Sequence, residues 1–254
     1  MGAPGDGVMA LNYHRAIKVR NGLSEGIDDA IVIEDRFRIF FNDYPIADMV
    51  ASRDQLRELG AGFVITEGIT RCVDKVSLDG DNILVYSDTG CDAPRSKKVV
   101  GSSGGVSILR EPLFVSSDIR ITPEDVFSIT CEIETDEWRK TGAVHCSVLF
   151  SGRRCVVKSS DVGRHNTVDK VVGHAVLHGI DLSGCVIGCT GRQPAGMVKK
   201  NANAGIPIVI SRAASTDRGI ATANSAGITL ICFSRADRFT IYTHPERIDG
   251  ISGV

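Results

Sequence analysis

At 254 residues, with 43% hydrophobic and 24% charged side chains, the chain has enough apolar material for one large domain or two intimate ones. A formal net charge of −2 gives no overall pull toward nucleic acid or an anionic membrane. No apolar run reaches the length of a membrane span, and the N-terminus lacks a charged head followed by an apolar core. The expectation is a cytoplasmic protein with neither nucleic-acid nor membrane partners.

The first 12 residues are Gly-rich and are expected to be disordered. The stretch AIVIEDRFRIFFNDYPIADMV (30–50) alternates apolar and polar positions about NDYP and reads as a hairpin. In SRDQLRELGAGFVITEGI (52–69), Ser52 reads as an N-cap, Asp54 falls in the first turn, and Leu56, Leu59 and Phe63 follow at helical spacing. DKVSLDGDNILVYSD (74–88) reads as a second hairpin, and a polar link then leads into GSSGGVSILR (101–110). That stretch holds three glycines and three serines in its first seven residues, too much backbone freedom for an ordinary strand.

From Thr122 the texture changes. Thr122, Pro123 and Asp125 supply a cap, a first helical position and an N3 acid. CSVLFSGRRCVVKSSD (146–161) reads as two strands about a turn at Ser151-Gly152, and RHNTVDKVVGHAVLHG (164–179) as a helix. Then strand and helix alternate: CVIGCTG, PAGMVKKNANAG, PIVISRA, DRGIATANSAG, TLICFSR and FTIYTH. Such alternation with short connections predicts an α/β layer containing parallel strands. The expected organisation is a β-rich α+β portion over 13–115 followed by an α/β domain over 116–254.

Eight cysteines lie at 72, 91, 131, 146, 155, 185, 189 and 232, with no Cys-x-x-Cys spacing. Core packing is the expected role for most of them, and no bound zinc or other metal is expected. The densest polar cluster is KSSDVGRHNTVDK (158–170), where a strand ends and a helix begins. A helix N-terminus attracts anions, and Arg164 and His165 beside it suggest a phosphate or oxyanion site at a strand carboxyl end. The bland alternative is that Asp161 only caps the helix and Arg164 pairs with Asp161 or Asp169. CTGRQPAGM (189–197) repeats the strand, glycine, arginine, helix order with Arg192. Two such turns suggest a polyanionic ligand such as a nucleotide. Arg235 and Arg238 beside Phe233 could add charge and stacking, or form only a solvated edge hairpin. His145, after a Thr-Gly break, is weak evidence alone. No Walker phosphate loop, G-x-G-x-x-G or zinc-deaminase signature is present.

DVGRHNTVDKVVG (161–173) resembles the DVGRHN-x-VDK-x-x-G segment of the formate dehydrogenase accessory protein family (FdhD/NarQ). ELGAGFVITEGI, TGAVHCSVLF, MVKKNANAGIPIVISRAAST and GITLICFSRADRFTIYTHPERI resemble family segments in the same order, over roughly residues 30–248. The resemblance implies a cytidine-deaminase-like α/β domain after the β-rich portion, and a homodimer. It implies a sulfurtransferase that takes sulfur from a cysteine desulfurase as a cysteine persulfide. The sulfur goes to the molybdenum or tungsten cofactor, whose guanine dinucleotide form (molybdopterin guanine dinucleotide) is bound, with GDP as a surrogate and formate dehydrogenase or a related enzyme as client. On the same footing, His145, Arg164, His165, Asn166, Arg192 and the run Phe233, Ser234, Arg235, Ala236, Asp237 and Arg238 are the expected cofactor contacts.

The family's sulfur-carrying loop, S-S-C-G-x-C-G, falls on Ser102 to Ile108, so its cysteines are replaced by Gly104 and Ser107. Neither can carry a persulfide, which needs a thiolate. Ala143 stands for a glycine of T-G-G-x-H, Ser160 for the acid before DVGRHN, and Pro194 and Gly196 alter the S-G-R-x-S-x-E turn. Three readings follow. In the first, cofactor binding and enzyme maturation are retained without persulfide carriage at this loop. In the second, a displaced thiol, Cys91 or Cys146, carries sulfur and must be exposed with a lowered pKa. In the third, the chain is a non-catalytic chaperone of a molybdoenzyme.

Overall fold

The computed structural model describes residues 9–88, 98–100 and 114–251. The 101–107 loop, with Gly104 and Ser107, and Cys91 lie outside the described residues. The first described element is a long hairpin, β1 (Leu11–Arg20) with β2 (Leu23–Val32), so the segment expected to be disordered gives way to strand at Leu11. Its turn is Asn21-Gly22, both with positive φ, the hairpin geometry that Asn-Gly favours.

The second sheet combines β3 (Asp35–Phe41), β4 (Tyr44–Ala51), β5 (Lys75–Asp79), β6 (Asn82–Tyr86) and β7 (Lys98–Val100) in the order β5-β6-β3-β4-β7. Both expected hairpins are present, β3–β4 turning on Asn42-Asp43 and β5–β6 on Gly80-Asp81. Between them runs α1 (Leu56–Thr66). The expected Ser52 cap is corrected. The helix starts behind Gln55 in the left-handed region (φ 51°), with no side-chain cap, while Ser52 and Asp54 serve a buried polar network described below.

In the second half, the capping box of Thr122 and Asp125 opens α2 (Pro123–Glu132), as its residues predict. Thr135 then caps a separate short helix, α3 (Asp136–Thr141). The strands are β8 (His145–Ser151), β9 (Arg154–Asp161), β10 (Cys185–Cys189), β11 (Ile208–Ser211), β12 (Thr229–Cys232) and β13 (Thr240–Thr243). The helices among them are α4 (Arg164–Leu177), α5 (Ala195–Asn203) and α6 (Asp217–Ser225). The sheet order is β13-β12-β11-β10-β8-β9, with β10, β11 and β12 parallel and the outer pairings antiparallel. The fold class is mixed α/β after a β-rich portion.

Period-two alternation divides this sheet between two cores. Val148, Val186, Ile208, Ile210 and Ile231 pack with Val126 and Ile129 of α2 and with Ile133 directly after it. Their neighbours Leu149, Ile187, Val209 and Leu230 join the main core, which extends through α4 and α1 to Phe37, Ile39 and Ile83 of the second sheet. α1 and α4 meet backbone to backbone. A Cβ on Gly62 would stand 1.7 Å from the Asp169 carbonyl oxygen, and one on Gly173 1.8 Å from that of Glu58. Glycine is required at both positions by close approach.

Candidate functional site at the strand carboxyl ends

Parallel strands deliver their carboxyl ends to one edge, where open α/β sheets leave room for ligands. The register places Cys189 beside Ser211 and Ser147, and His145 beside Asp161. The turns after β9, β10, β11 and β12 and the start of β8 therefore share that edge. They carry Arg164, Arg192, Arg212, Arg235 and His145.

The DVGRHN-x-VDK segment divides between two duties. Asp161 is fully buried and accepts four bonds: from the Ser52 and Gly163 amides at 3.0 and 2.9 Å, Asn166 Nδ2 at 2.7 Å, and Lys170 Nζ at 2.8 Å. Lys170, also without exposure, reaches Asp54 Oδ1 at 3.2 Å and the Ser160 carbonyl at 3.3 Å. Asp169 and Glu67 both pair with Lys200, at 2.8 and 3.0 Å. Burial alone would lower the Lys200 amine, but the two carboxylates outweigh it and raise its pKa. These groups join the second sheet and α1 to the α/β layer. The alternative in which Arg164 pairs with Asp161 or Asp169 is replaced by these lysine pairings. Asn166, expected as a cofactor contact, instead spends its amide on Asp161 Oδ1 and the Val50 carbonyl, holding the turn from which Arg164 projects.

Arg164 is half-buried. Burial and the charge of Arg192 both lower its pKa. A Cβ on Gly191 would lie 3.0 Å from Arg164 Cβ, so the glycine makes room for the arginine stem. His145 is held below its ordinary pKa by burial and by Arg164, against a smaller opposing effect of Asp161. Its Nδ1 is 3.2 Å from Thr190 Oγ1, which also accepts the Cys146 amide at 3.0 Å.

Beside these groups lies a cavity of about 480 Å³, lined by Glu134, Trp138, His145, Thr190, Arg212 and Arg235 among others. Arg212 Nη1 pairs with Glu134 at 2.8 Å, and Arg235 Nη1 donates to the Arg212 and Ser234 carbonyls, tying the β11 and β12 turns together. Within the expected 233–238 run, Ser234 is buried and bonds Thr130, so its hydroxyl faces α2. Phe233 is 43% exposed in a left-handed backbone, and Ala236, Asp237 and Arg238 are exposed on the turn. Glu134, Trp138, Thr190 and Arg212 join the site only in three dimensions. Arg212, directly after β11, follows the same strand-end rule as Arg192.

Cys146 does not meet the requirement for a displaced sulfur carrier. Its thiol is buried against Thr135 Oγ1 at 3.3 Å, and burial pushes its pKa up. Cys185, Cys189 and Cys232 are also buried, pushed up by burial to about 11, 12 and 12. Among the described residues, no group of three or more His, Cys, Asp or Glu could hold a metal ion. No helix there is long and apolar enough to cross a membrane.

The FdhD/NarQ family model matches residues 32–249. The sulfur carrier protein FdhD of Methanothermobacter thermautotrophicus is 35% identical over 230 residues, covering 87% of this chain and 92% of its own. Protein FdhD of Methanocaldococcus jannaschii is 32% identical over 218 residues, covering 85% and 89%. A crystal structure from Desulfotalea psychrophila, described as that of a formate dehydrogenase accessory protein, superposes with a TM-score of 0.78 at 28% identity. It matches 94% of this chain and 99% of its own. A match from the last residue of β2 to beyond β13, through both halves of the buried polar network, leaves one conclusion: the chain belongs to the FdhD/NarQ family.

Proposed function

We propose that this protein is a formate dehydrogenase accessory protein that binds the guanine dinucleotide form of the molybdenum or tungsten cofactor and assists its sulfuration and insertion. In this reading the dinucleotide's phosphates lie against Arg164, Arg192 and His145, and its remainder occupies the cavity beside Trp138, Arg212 and Arg235. The observation that carries it is the convergence of the Arg164 and Arg192 turns at one sheet edge, where Gly191 packs against the Arg164 stem and the charge of Arg192 adds to burial in lowering the Arg164 pKa. Such a pair is stabilised by a bound polyanion, and guanidinium forks match phosphate oxygens. The donor set fits a pyrophosphate. The cofactor is a carried substrate, the client a formate dehydrogenase or related enzyme, and the working unit a homodimer of cytoplasmic location.

The 101–107 loop does not form the persulfide in this proposal, because Gly104 and Ser107 offer no thiol. A crystal grown with GDP tests the binding half, with the diphosphate expected on Arg164 and Arg192; a diphosphate bound elsewhere contradicts the assignment. Incubation with a cysteine desulfurase and cysteine, followed by mass-spectrometric mapping, tests the other half. The expected result is no stable persulfide on any cysteine; a persulfide on Cys91 or Cys146 overturns that part.

A further inference from the structure

Thr190 stands directly after β10, and its hydroxyl touches two donors or acceptors of β8 at once. The Cys146 amide donates to Oγ1 at 3.0 Å, and His145 Nδ1 lies 3.2 Å from the same oxygen. Because the amide N–H can only donate, Oγ1 is already an acceptor there, and its own proton is left to place. Among the described residues the hydroxyl has no hydrogen-bonding neighbour able to accept its proton other than His145 Nδ1. If Nδ1 carried the imidazole proton, Oγ1 would accept twice and the Thr190 proton would have no protein acceptor. If Nδ1 carries a lone pair, the chain from Cys146 N–H through Thr190 O–H to Nδ1 closes with every proton placed. The imidazole proton then sits on Nε2, on a residue that lines the 480 Å³ cavity with Arg212 and Arg235.

We propose that Thr190 is a positioning residue that fixes His145 as the Nε2–H tautomer, presenting a neutral N–H donor to an anionic oxygen of the ligand in the strand-end cavity. The ligand-facing half rests on the site reading given above, whereas the tautomer is a property of the free protein. Charge surroundings agree with a neutral ring: Arg164 and burial oppose protonation more than Asp161 favours it. A neutral donor suits this place, since a cation would be repelled by the neighbouring guanidiniums, while an N–H dipole still serves a phosphate oxygen.

The test is long-range ¹H–¹⁵N correlation of the ligand-free, ¹⁵N-labelled protein at pH 7.5, with His145→Gln assigning the signals. The expected spectrum has an unprotonated Nδ1 and a protonated Nε2. Thr190→Val should mix the tautomers, and Thr190→Ser should restore the single one. An Nδ1–H tautomer or an imidazolium in the unaltered protein overturns the proposal, as does a Thr190→Val spectrum with the same single tautomer. Inorganic pyrophosphate then probes the ligand-facing half. Thr190→Val should bind it about tenfold more weakly, near the effect of one lost hydrogen bond to a charged group, with Thr190→Ser recovering most of the loss. Equal pyrophosphate affinity in Thr190→Val and the unaltered protein overturns that half. If the unaltered protein binds no pyrophosphate, the site reading fails, and the spectrum still decides the tautomer.

Discussion

Lys170 Nζ and Asp161 Oδ2 lie 2.8 Å apart with neither side chain exposed, and Ser52 and Asp54 from the first half of the chain meet this pair at its junction with the α/β layer. The Ser52 backbone serves both partners, its amide bonding Asp161 and its carbonyl lying 3.5 Å from Lys170 Nζ. A buried ion pair of this kind is not a large source of stability in itself. Removing one partner is costly, because the other charge stays buried. Lys170→Met should therefore destabilise the fold by about 3–5 kcal/mol, read by urea denaturation. A loss within the range of a surface substitution would show that water or rearrangement compensates Asp161 and Asp54.

The contact between α1 and α4 predicts a different kind of failure. At Gly62 a methyl group would meet the Asp169 carbonyl oxygen at 1.7 Å, and backbone cannot swing away as a long side chain can. Gly62→Ala should cost at least about 1–3 kcal/mol by overpacking, although alanine is the better helix former. Thermal unfolding checks the sign: a stabilised variant would contradict the close approach.

Stability should fall as pH drops through the histidine range. His145 and His174 are both held below their ordinary value of 6.5, His145 by burial and Arg164, His174 by burial and His178. Between each folded pKa and about 6.5 the unfolded chain binds more protons than the folded one, so acidification favours unfolding there. Below the folded values this contribution levels off. Urea midpoints measured from pH 7.5 to 5 should decline, and the decline should be shallower in a His145→Gln, His174→Gln double variant. A double variant with an unchanged pH profile would remove these two groups from the explanation.

Thiol chemistry should separate the cysteines sharply. Cys131 is exposed, whereas Cys146, Cys185, Cys189 and Cys232 are buried. Brief alkylation of the native protein at pH 8 followed by peptide mapping should label Cys131 and leave those four until the chain is unfolded. Alkylation of Cys146 as rapid as that of Cys131 would revive it as a reactive thiol.

Much of this architecture was legible in local chemistry. Thr122, Pro123 and Asp125 announce α2 because a capping box is written within four consecutive residues. The strand and helix order after Cys185 follows from apolar runs separated by glycines. The β1–β2 hairpin was harder, since its alternation is largely polar and Tyr13, Ile17 and Val19 remain exposed; its one clear mark is Asn21-Gly22. Ser52 has the right side chain for a cap, but the Asp161 carboxylate, 109 residues away, claims its amide. The same long-range competition divides the DVGRHN segment. Sequence shows that Asp161, Arg164, Asn166 and Asp169 are neighbours along the chain; only the fold shows which of them turn inward to lysines and which stay at the strand ends. Glu134, Trp138 and Arg212 could not be gathered from spacing, because the cavity that joins them forms between elements distant in the chain.

The central claim is that a guanine nucleotide binds the arginine pair at the strand ends of a chain whose carrier loop has lost its cysteines. Calorimetric titration with GDP of the unaltered protein, Arg164→Ala and Arg192→Ala tests it most directly. The account predicts saturable binding by the unaltered protein and a loss of about tenfold to a hundredfold for each substitution, the range of one hydrogen-bonded charge contact. Absence of binding by the unaltered protein, or GDP affinity indifferent to both arginines, would contradict it.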